Sequence, residues 1–448
     1  MGHPSIQTPH MNALVQGGVL FPVTHNVAST CIPSLEGILT GRYQKDWGTG
    51  NNYRPAYLTI PIALRAAGYM SYGAGKFWSG YRETGFDQWL EHGRDEIGRD
   101  TMQPIYDFID AQRAASPTRP FFVWYAPHLP HKPLNPPERF LHLYDGQTDI
   151  PGVSGVTELD SPGERLKYAG NISWLDDTVG QLVGFLEARG LRNNTLLLYV
   201  SDNGWGLPHS KNNFSQNGFR TVLWANLPGE VVSGMRRDEL VHTIDILPTL
   251  IDYAGLSIPS NLEGKSLRSL LEGKHVPWRQ YLFGMNFDAA TTHELVHSRY
   301  LITTDGLEFF SEQNQLFDLT TDPNETTNLI GDSRYAARLP AFRQALDAWA
   351  TLATDSATLV PIQETDATRR LWAKRLKDFD AEIHVRLAQE ADPRKKDRLL
   401  TYQVFVKHRQ LYKINEPPII EQILSEAGFS KGDFPRPFRC LCWLSDAS

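Results

Sequence analysis

The chain has 448 residues, a formal net charge of −7, 41% hydrophobic residues and 21% charged residues. This length is enough for two to three structural units and for a core that needs no disulfide framework. The mild acidity argues against a nucleic-acid partner, because binding to phosphates usually takes a basic surface. No apolar run reaches the roughly 18–20 residues of a membrane span, and no signal peptide is visible. The composition predicts a soluble globular protein and leaves its compartment and oligomeric state unknown.

The first half of the chain alternates strand and helix patterns. Residues 69–74 and 120–125 form short apolar runs typical of buried strands, and residues 195–200 form a third. Between the last two, residues 162–189 carry apolar side chains at three- to four-residue steps, the pattern of an amphipathic helix. A strand, a helix and another strand in this order predict an α/β fold with a mainly parallel sheet.

The second half has a different character. Residues 278–319 contain short alternating runs split by Gly and Asp turns, which predicts a small antiparallel sheet. A helix is predicted over 333–352. We therefore divide the chain into a large α/β domain over 1–255, a smaller α+β subdomain over 256–355 and a helical extension over 356–448. The basic clusters of the extension are interpreted as solvated helix faces.

Cys31 is isolated from the other cysteines, Cys440 and Cys442. Pro33 fits the first turn of a helix, so Cys31 is predicted at a helix N-terminus, where free amides and the helix dipole favour an anion. This setting suits a nucleophile that attacks a phosphate or sulfate ester. A buried structural cysteine is the alternative.

Two further segments place basic side chains after predicted strands, where ligands gather in α/β sheets. His128 and His131 lie in a proline-rich stretch, and a fixed backbone is useful for aiming a general acid. A rigid surface loop explains the same pattern. Lys76 follows a short strand and could neutralise a substrate oxyanion.

Asp202 and Asn203 follow the strand predicted at 195–200, and Lys211 comes soon after. Adjacent carboxylate and amide oxygens are hard ligands suited to Ca²⁺ or Mg²⁺. A turn stabilised by Asx side chains is the alternative.

Together, these segments resemble the sulfatases of the alkaline-phosphatase superfamily over residues 3–355. Six ordered elements carry the resemblance. They are C-x-P-S with T-G-R at Cys31 to Arg42, G-Y with G-K at Gly68 to Lys76, P-H-x-P at Pro130 to Pro133, S-D-N-G with K and G-x-R at Ser201 to Arg220, D-x-x-P-T-L at Asp245 to Leu250, and L-F-D-L-x-x-D-P-x-E-x-x-N-L at Leu316 to Leu329.

The resemblance implies an alkaline-phosphatase-like fold, in which helices flank a large, mostly parallel sheet and a smaller antiparallel sheet follows. It implies hydrolysis of a sulfate monoester, from a small molecule or a carbohydrate. In the family, a cysteine is oxidised to formylglycine, whose hydrate attacks sulfur beside a divalent cation, usually Ca²⁺.

Carried over by residue, the resemblance makes Cys31 the nucleophile precursor and His131, rather than His128, the acid that protonates the leaving alcohol. Lys76 and Lys211 would bind the sulfate oxygens. Asp202 and Asn203 would be two of the metal ligands.

Three departures from the family pattern matter. Leu35 stands where the family has an arginine that faces the site and belongs to the signal for formylglycine conversion. Trp78 replaces a histidine, and indole cannot act as a base. The family's first strand, which ends in an Asp-Asp pair of metal ligands, has no counterpart after Met1. We therefore expect Met1 to be an internal methionine of a longer natural chain, and two strand edges to be left unpaired.

These departures keep two alternatives to a working sulfatase open. One is a catalytically impaired relative that binds sulfated or phosphorylated ligands through Lys76, Lys211 and His131. The other is a phosphoesterase that uses unmodified Cys31 or Thr30.

Overall fold

The computed structural model describes residues 3–43, 57–76, 84–90, 96–150, 161–204, 211, 215–287 and 297–351. All of them lie in one compact unit, Met1–Val360. Trp78 and the predicted helical extension over 356–448 lie outside the described residues. The boundary between 1–255 and 256–355 stays a prediction.

The described chain alternates strands and helices before ending in a meander and a helix. The strands are β1 Val19–His25, β2 Met70–Gly75, β3 Gln88–Trp89, β4 Phe121–Ala126, β5 Leu197–Val200, β6 Arg220–Asn226, β7 Met235–Arg236, β8 Val241–His242, β9 Tyr281–Phe287, β10 His297–Thr303, β11 Leu307–Phe310 and β12 Gln315–Asp318. The helices are α1 Pro9–Gln16, α2 Cys31–Thr40, α3 Ile60–Arg65, α4 Gln103–Ala115, α5 Glu138–Leu141, α6 Pro162–Ala188, α7 Gln216–Phe219, α8 Ile246–Tyr253, α9 Arg268–Leu271 and α10 Leu339–Thr351.

These strands form three sheets. In the first, the order is β5-β6-β1-β7, with β8 also on β1; β7 and β8 run parallel to β1, and β6 is antiparallel to both β1 and β5. In the second, β3 and β4 flank β2, and both pairs are parallel. The third, β12-β11-β10-β9, is an antiparallel meander. This arrangement confirms the predicted fold class, an α/β layer with a smaller antiparallel sheet.

The crossover helix α6 runs between β4 and β5 along the chain, as predicted, but these two strands are not paired with each other. Within the described residues, β4 pairs with β2 alone and β5 with β6 alone. Every residue of β4 and β5 is only half-buried. Each strand therefore presents one edge at which a further strand could pair. Neighbouring order along the chain does not by itself fix which strands bond, so periodicity could not predict this separation.

Helix α2 owes its position to burial. All residues from Ser34 to Thr40 are buried, and Leu39 belongs to the largest apolar cluster, together with Phe21 of β1. Gly41 ends the helix in the left-handed conformation, with φ of 64° and its amide bonded to Gly37 O, as is common at helix C-termini. Burying a leucine or phenylalanine completely stabilises a fold by about 1.5–3 kcal/mol, so this helix is firmly held.

A second apolar cluster joins the segment before α2 to the antiparallel sheet. Val27 packs there with Phe309 of β11 and with Phe342 and Trp349 of α10. The C-terminal sheet therefore packs against the segment that leads into residue 31. No described helix has the length and apolar character needed to cross a membrane.

Candidate active site

Cys31 is the first residue of α2 and is buried. Its Sγ accepts hydrogen bonds from Lys76 Nζ at 3.0 Å and from Asn203 Nδ2 at 3.3 Å. Thr30 precedes it with an extended backbone, and the Thr30 side chain makes no capping hydrogen bond. One cationic donor, one amide donor and the helix dipole therefore all favour negative charge at this atom.

Lys76 reaches Cys31 because of the glycine before it. Gly75 ends β2 with φ of 103°. Residues that carry a Cβ atom rarely adopt this backbone conformation, whereas glycine adopts it readily. A Cβ on Gly75 would also lie 2.0 Å from Ala126 O. The close approach of β2 to β4 at this point aims Lys76 across the end of the sheet.

Lys76 also forms an ion pair with Asp202, with 2.6 Å between Nζ and Oδ2. Burial alone would lower the pKa of Lys76, but Asp202 and Cys31 outweigh burial and raise it to about 12. Burial alone would raise the pKa of Asp202, but Lys76, with help from Lys211, holds it below its ordinary value. Both groups are therefore charged at neutral pH, and Lys211 is close enough to act on Asp202.

Asn203 turns its amide NH₂ toward Cys31, a contact that the sequence did not predict. Gly204, the next residue, donates its amide to Gly218 O at 3.0 Å. A Cβ on Gly204 would lie 1.7 Å from Asn217 O. Only glycine fits this approach, and it fixes the turn that carries Asp202 and Asn203.

His131 lies near the two lysines. Its Nδ1 is 3.1 Å from Lys132 O, which favours the tautomer with Nε2 free to accept a proton. Burial, and then the charges of Lys211 and Lys76, lower the pKa of His131 to about 4, although the bond to Lys132 opposes this shift. Its imidazole is neutral at pH 7, and a bound anion would offset the lysines and raise its pKa.

Two residues that the sequence analysis did not single out hold the His131 loop. Asn171 of α6 is buried and donates its amide to Pro130 O and to Pro133 O, both at 3.2 Å. Arg99 donates to His131 O at 2.8 Å. A polar side chain on the core-facing side of α6 was the available signal for Asn171. His128 is a neighbour of His131, with ring centroids 6.4 Å apart.

Leu35, one turn after Cys31, is buried in the main apolar cluster. Its side chain offers no charge or donor to the site. Arg42, at the far end of the α2 segment, is buried and lies over the Tyr57 ring at 5.3 Å. The nearest cation to Cys31 among the described contacts is therefore Lys76.

The described residues do not make a complete cation site. No group of three or more His, Cys, Asp and Glu side chains able to hold a metal occurs among them. Asp202 and Asn203 supply two oxygen atoms, whereas Ca²⁺ takes six to eight. These two residues therefore account for only part of the ligand set that a bound Ca²⁺ would need.

Comparison with known proteins gives the family. A family model described as sulfatase matches residues 1–256, and one described as N-sulphoglucosamine sulphohydrolase, C-terminal, matches residues 204–351. An arylsulfatase of Clostridium perfringens is 26% identical, with 77% of this chain and 89% of the relative covered. An N-acetylgalactosamine-6-sulfatase of Sus scrofa is 25% identical, with 61% of this chain and 63% of the relative covered.

Solved structures share the fold. One is a complex with its substrate, D-glucosamine-2-N,6-O-disulfate; its TM-score is 0.66 at 19% identity, and 81% of this chain and 95% of the other are covered. A phosphonate monoester hydrolase of Agrobacterium radiobacter has a TM-score of 0.66 at 20% identity, with 78% and 92% covered. The fold is therefore alkaline-phosphatase-like, as the motifs implied. Sulfatases as a family use a metal and a formylglycine. With its first 256 residues matched by the family model, this chain belongs to the sulfatase family and is a sulfuric ester hydrolase.

Proposed function

We propose that this enzyme cleaves a sulfate monoester of a sugar at the site formed by Cys31, Lys76, His131, Asp202 and Lys211. The observation that carries the proposal is the meeting of Lys76 Nζ and Asn203 Nδ2 on Cys31 Sγ. This places the predicted nucleophile beside a fixed cation, at a helix N-terminus. A sulfate bound there would have its charge neutralised as the ester bond breaks.

Cys31 is proposed to act after oxidation to formylglycine, whose hydrate supplies an oxygen nucleophile in place of the thiol. The donors that now contact Sγ suit an oxygen anion at the same position. Lys76 and Lys211 bind the sulfate oxygens. His131 gives a proton to the leaving alcohol, because a bound anion would offset the lysine charges and raise its pKa from about 4.

Asp202 and Asn203 are proposed as two ligands of a divalent cation, Ca²⁺ rather than Mg²⁺. The choice follows from coordination, because Ca²⁺ tolerates irregular sets of oxygen ligands while Mg²⁺ demands a near-ideal octahedron. The remaining ligands would come from outside the described residues or from water.

A sulfated carbohydrate is the substrate class that the relatives favour. Relatives include an ulvan-active sulfatase of Formosa agariphila, 26% identical with 75% of this chain and 74% of the relative covered. Nothing in the comparisons favours the alternatives of ligand binding without turnover or phosphate ester cleavage.

The deciding experiment combines mass spectrometry and turnover. Trypsin releases Cys31 in a peptide that ends at Arg42, because no Lys or Arg precedes Arg42. We expect the formylglycine mass in this peptide and release of p-nitrophenol from p-nitrophenyl sulfate, with none from a Cys31→Ala variant. An unmodified thiol with no turnover would overturn the proposal. Faster release from p-nitrophenyl phosphate would favour the phosphoesterase.

A further inference from the structure

A buried polar cluster lies behind the site, where α7 meets β1 and the antiparallel sheet. Gln216, the first residue of α7, is buried and bonds in three directions. Its Nε2 donates to Glu308 Oε1 at 2.7 Å, its backbone amide donates to Glu325 Oε2 at 2.8 Å, and its Oε1 lies 2.9 Å from His25 Nε2. We call these four residues the Gln216 cluster.

Glu308 and Glu325 are arranged to share a proton. Glu308 is fully buried, and both carboxyl groups accept hydrogen bonds from the same residue, Gln216. The second oxygen of each group, Glu308 Oε2 and Glu325 Oε1, is buried and has no hydrogen-bond donor among the described residues. A single proton between these oxygens satisfies both, whereas two ionised carboxylates would repel each other in a dry environment.

The charge states of the other titratable groups around the cluster are consistent with one shared proton. Burial, and then the charge of Arg220, lower the pKa of His25 to about 4, so its ring is neutral and Nε2 donates to Gln216. Tyr300 of β10 is buried beside Glu308 and stays neutral, because burial raises its pKa. Asp322 adds negative charge near Glu325. Burial and the neighbouring carboxyl raise the pKa of Glu308 well above its ordinary value.

The backbone of Glu325 is itself unusual. Its φ is 56°, a left-handed conformation that is uncommon for a residue with a side chain. Such a conformation persists where the surroundings fix it. Here the carboxylate accepts the Gln216 amide, so the bond to α7 and the backbone of this turn depend on each other.

Helix α7 connects the cluster to both halves of the active site. Phe219 O, at its end, accepts the Asn26 amide at 2.8 Å, five residues before Cys31. Gly218 O accepts the Gly204 amide at 3.0 Å, next to Asn203. A shift of α7 would therefore move the nucleophile segment and the Asp202–Asn203 turn at the same time.

We propose that the Gln216 cluster, through a proton shared by Glu308 and Glu325, positions α7 and thereby sets the distance of Cys31 from Asn203. Gln216 and Glu308 are positioning residues, and this role rests on the proposed function of the site. The proton keeps the pair at a single negative charge. Loss of that proton leaves two adjacent carboxylates and loosens the contact with Gln216.

The first experiment follows melting temperature against pH for the full chain and for Glu308→Gln. The introduced amide accepts from Gln216 and donates to Glu325 at every pH. A raised folded-state pKa means that the unfolded chain loses the proton first, so the wild type loses stability as pH rises toward the folded pKa. We expect the melting temperature of Glu308→Gln, relative to that of the wild type, to rise steadily from pH 5 to pH 9. Glu312→Gln, a change at an exposed position paired with Arg299, should follow the wild type. Parallel curves for all three proteins would refute the shared proton.

The second experiment tests positioning. Gln216→Met keeps the side-chain volume and removes the side-chain hydrogen bonds to Glu308 and His25, while the backbone bond to Glu325 remains. We expect kcat on p-nitrophenyl sulfate to fall about 10- to 100-fold, as misplaced groups do, with KM changed less than about 3-fold. The alkaline limb of the kcat/KM profile should move to higher pH in Glu308→Gln. A folded Gln216→Met with wild-type kcat would overturn the positioning role.

A third measurement separates failure of this inference from failure of the proposed function. If the wild type does not turn over sulfate esters, a different readout is available. The rate at which iodoacetamide alkylates the Cys31 thiol then reports on the contacts that surround Sγ. Gln216→Met should change that rate by several-fold, and Gln181→Met on exposed helix surface should not. An unchanged rate would count against the positioning role independently of catalysis.

Discussion

Lys76 Nζ and Asp202 Oδ2 lie 2.6 Å apart and join two sheets whose described strands share no backbone hydrogen bond. Lys76 follows β2 of the second sheet, and Asp202 follows β5 of the first. The ion pair lies at the carboxyl ends of both strands, where α/β sheets place their ligands. The Lys76 ammonium therefore both links the two sheets through Asp202 and contacts the predicted nucleophile, Cys31.

Replacing Lys76 should remove catalysis. In Lys76→Met the apolar stem remains, and the charge that faces Cys31 and Asp202 is lost. We expect kcat/KM on p-nitrophenyl sulfate to fall by about 10²–10³, the usual cost of one fixed donor to a developing anion. Lys132→Met is the control, because Lys132 is exposed. Activity within a few-fold of wild type in Lys76→Met would remove Lys76 from the mechanism.

His131 should matter most for substrates with poor leaving groups. An alcohol needs a proton as its bond to sulfur breaks, whereas p-nitrophenolate leaves without one. We expect His131→Gln to lower kcat on a sugar sulfate by about 10²–10⁴ and on p-nitrophenyl sulfate by much less. The comparison needs both substrates with one enzyme preparation. Equal losses on the two would show that His131 does not donate the proton.

The sequence predicted the elements around the site well because their patterns are local. The helix that begins at Cys31, the strand before Lys76 and the antiparallel meander were all predicted, and the structure confirms them. The site roles of Cys31, His131, Lys76, Lys211, Asp202 and Asn203 stay predictions, although the structure brings Cys31, Lys76, Asp202 and Asn203 into direct or shared contact.

What could not be predicted is the pairing between distant residues. Gln216 bonds to Glu308, which is 92 positions away, and to His25, which is 191 away. Each of these side chains by itself is typical of an exposed polar position. Only the fold shows that they are buried together. The separation of β4 from β5 is of the same kind, since it depends on strand contacts and not on periodicity.

Acid should destabilise the protein through His25. Its pKa is about 4 in the folded chain and near 6.5 in an unfolded one. Between these values the unfolded state binds a proton that the folded state does not, so the free energy of unfolding falls as pH drops. The contribution is about 1.4 kcal/mol per pH unit and about 3 kcal/mol in total. When urea unfolding is measured from pH 7 to pH 4.5, the free energy of unfolding should fall less steeply in His25→Gln than in the wild type. The exposed His275→Gln is the control; a slope in His25→Gln as steep as that of His275→Gln would contradict the assignment.

Calcium should bind weakly at Asp202. Two protein oxygens leave most of the coordination shell to other groups or to water, so affinity in the range of about 10⁻⁴–10⁻³ M is expected. The melting temperature should rise on adding millimolar Ca²⁺ and return to its starting value with a chelator, because a ligand of the folded state alone stabilises it. Asp202→Asn should abolish this rise, whereas the exposed Asp238→Asn should retain it.

Since Asp202 already pairs with Lys76, Ca²⁺ has to displace the ammonium or share the carboxylate. Lys76→Met should therefore bind Ca²⁺ more tightly than the wild type, and weaker binding in that variant would place the cation away from Asp202.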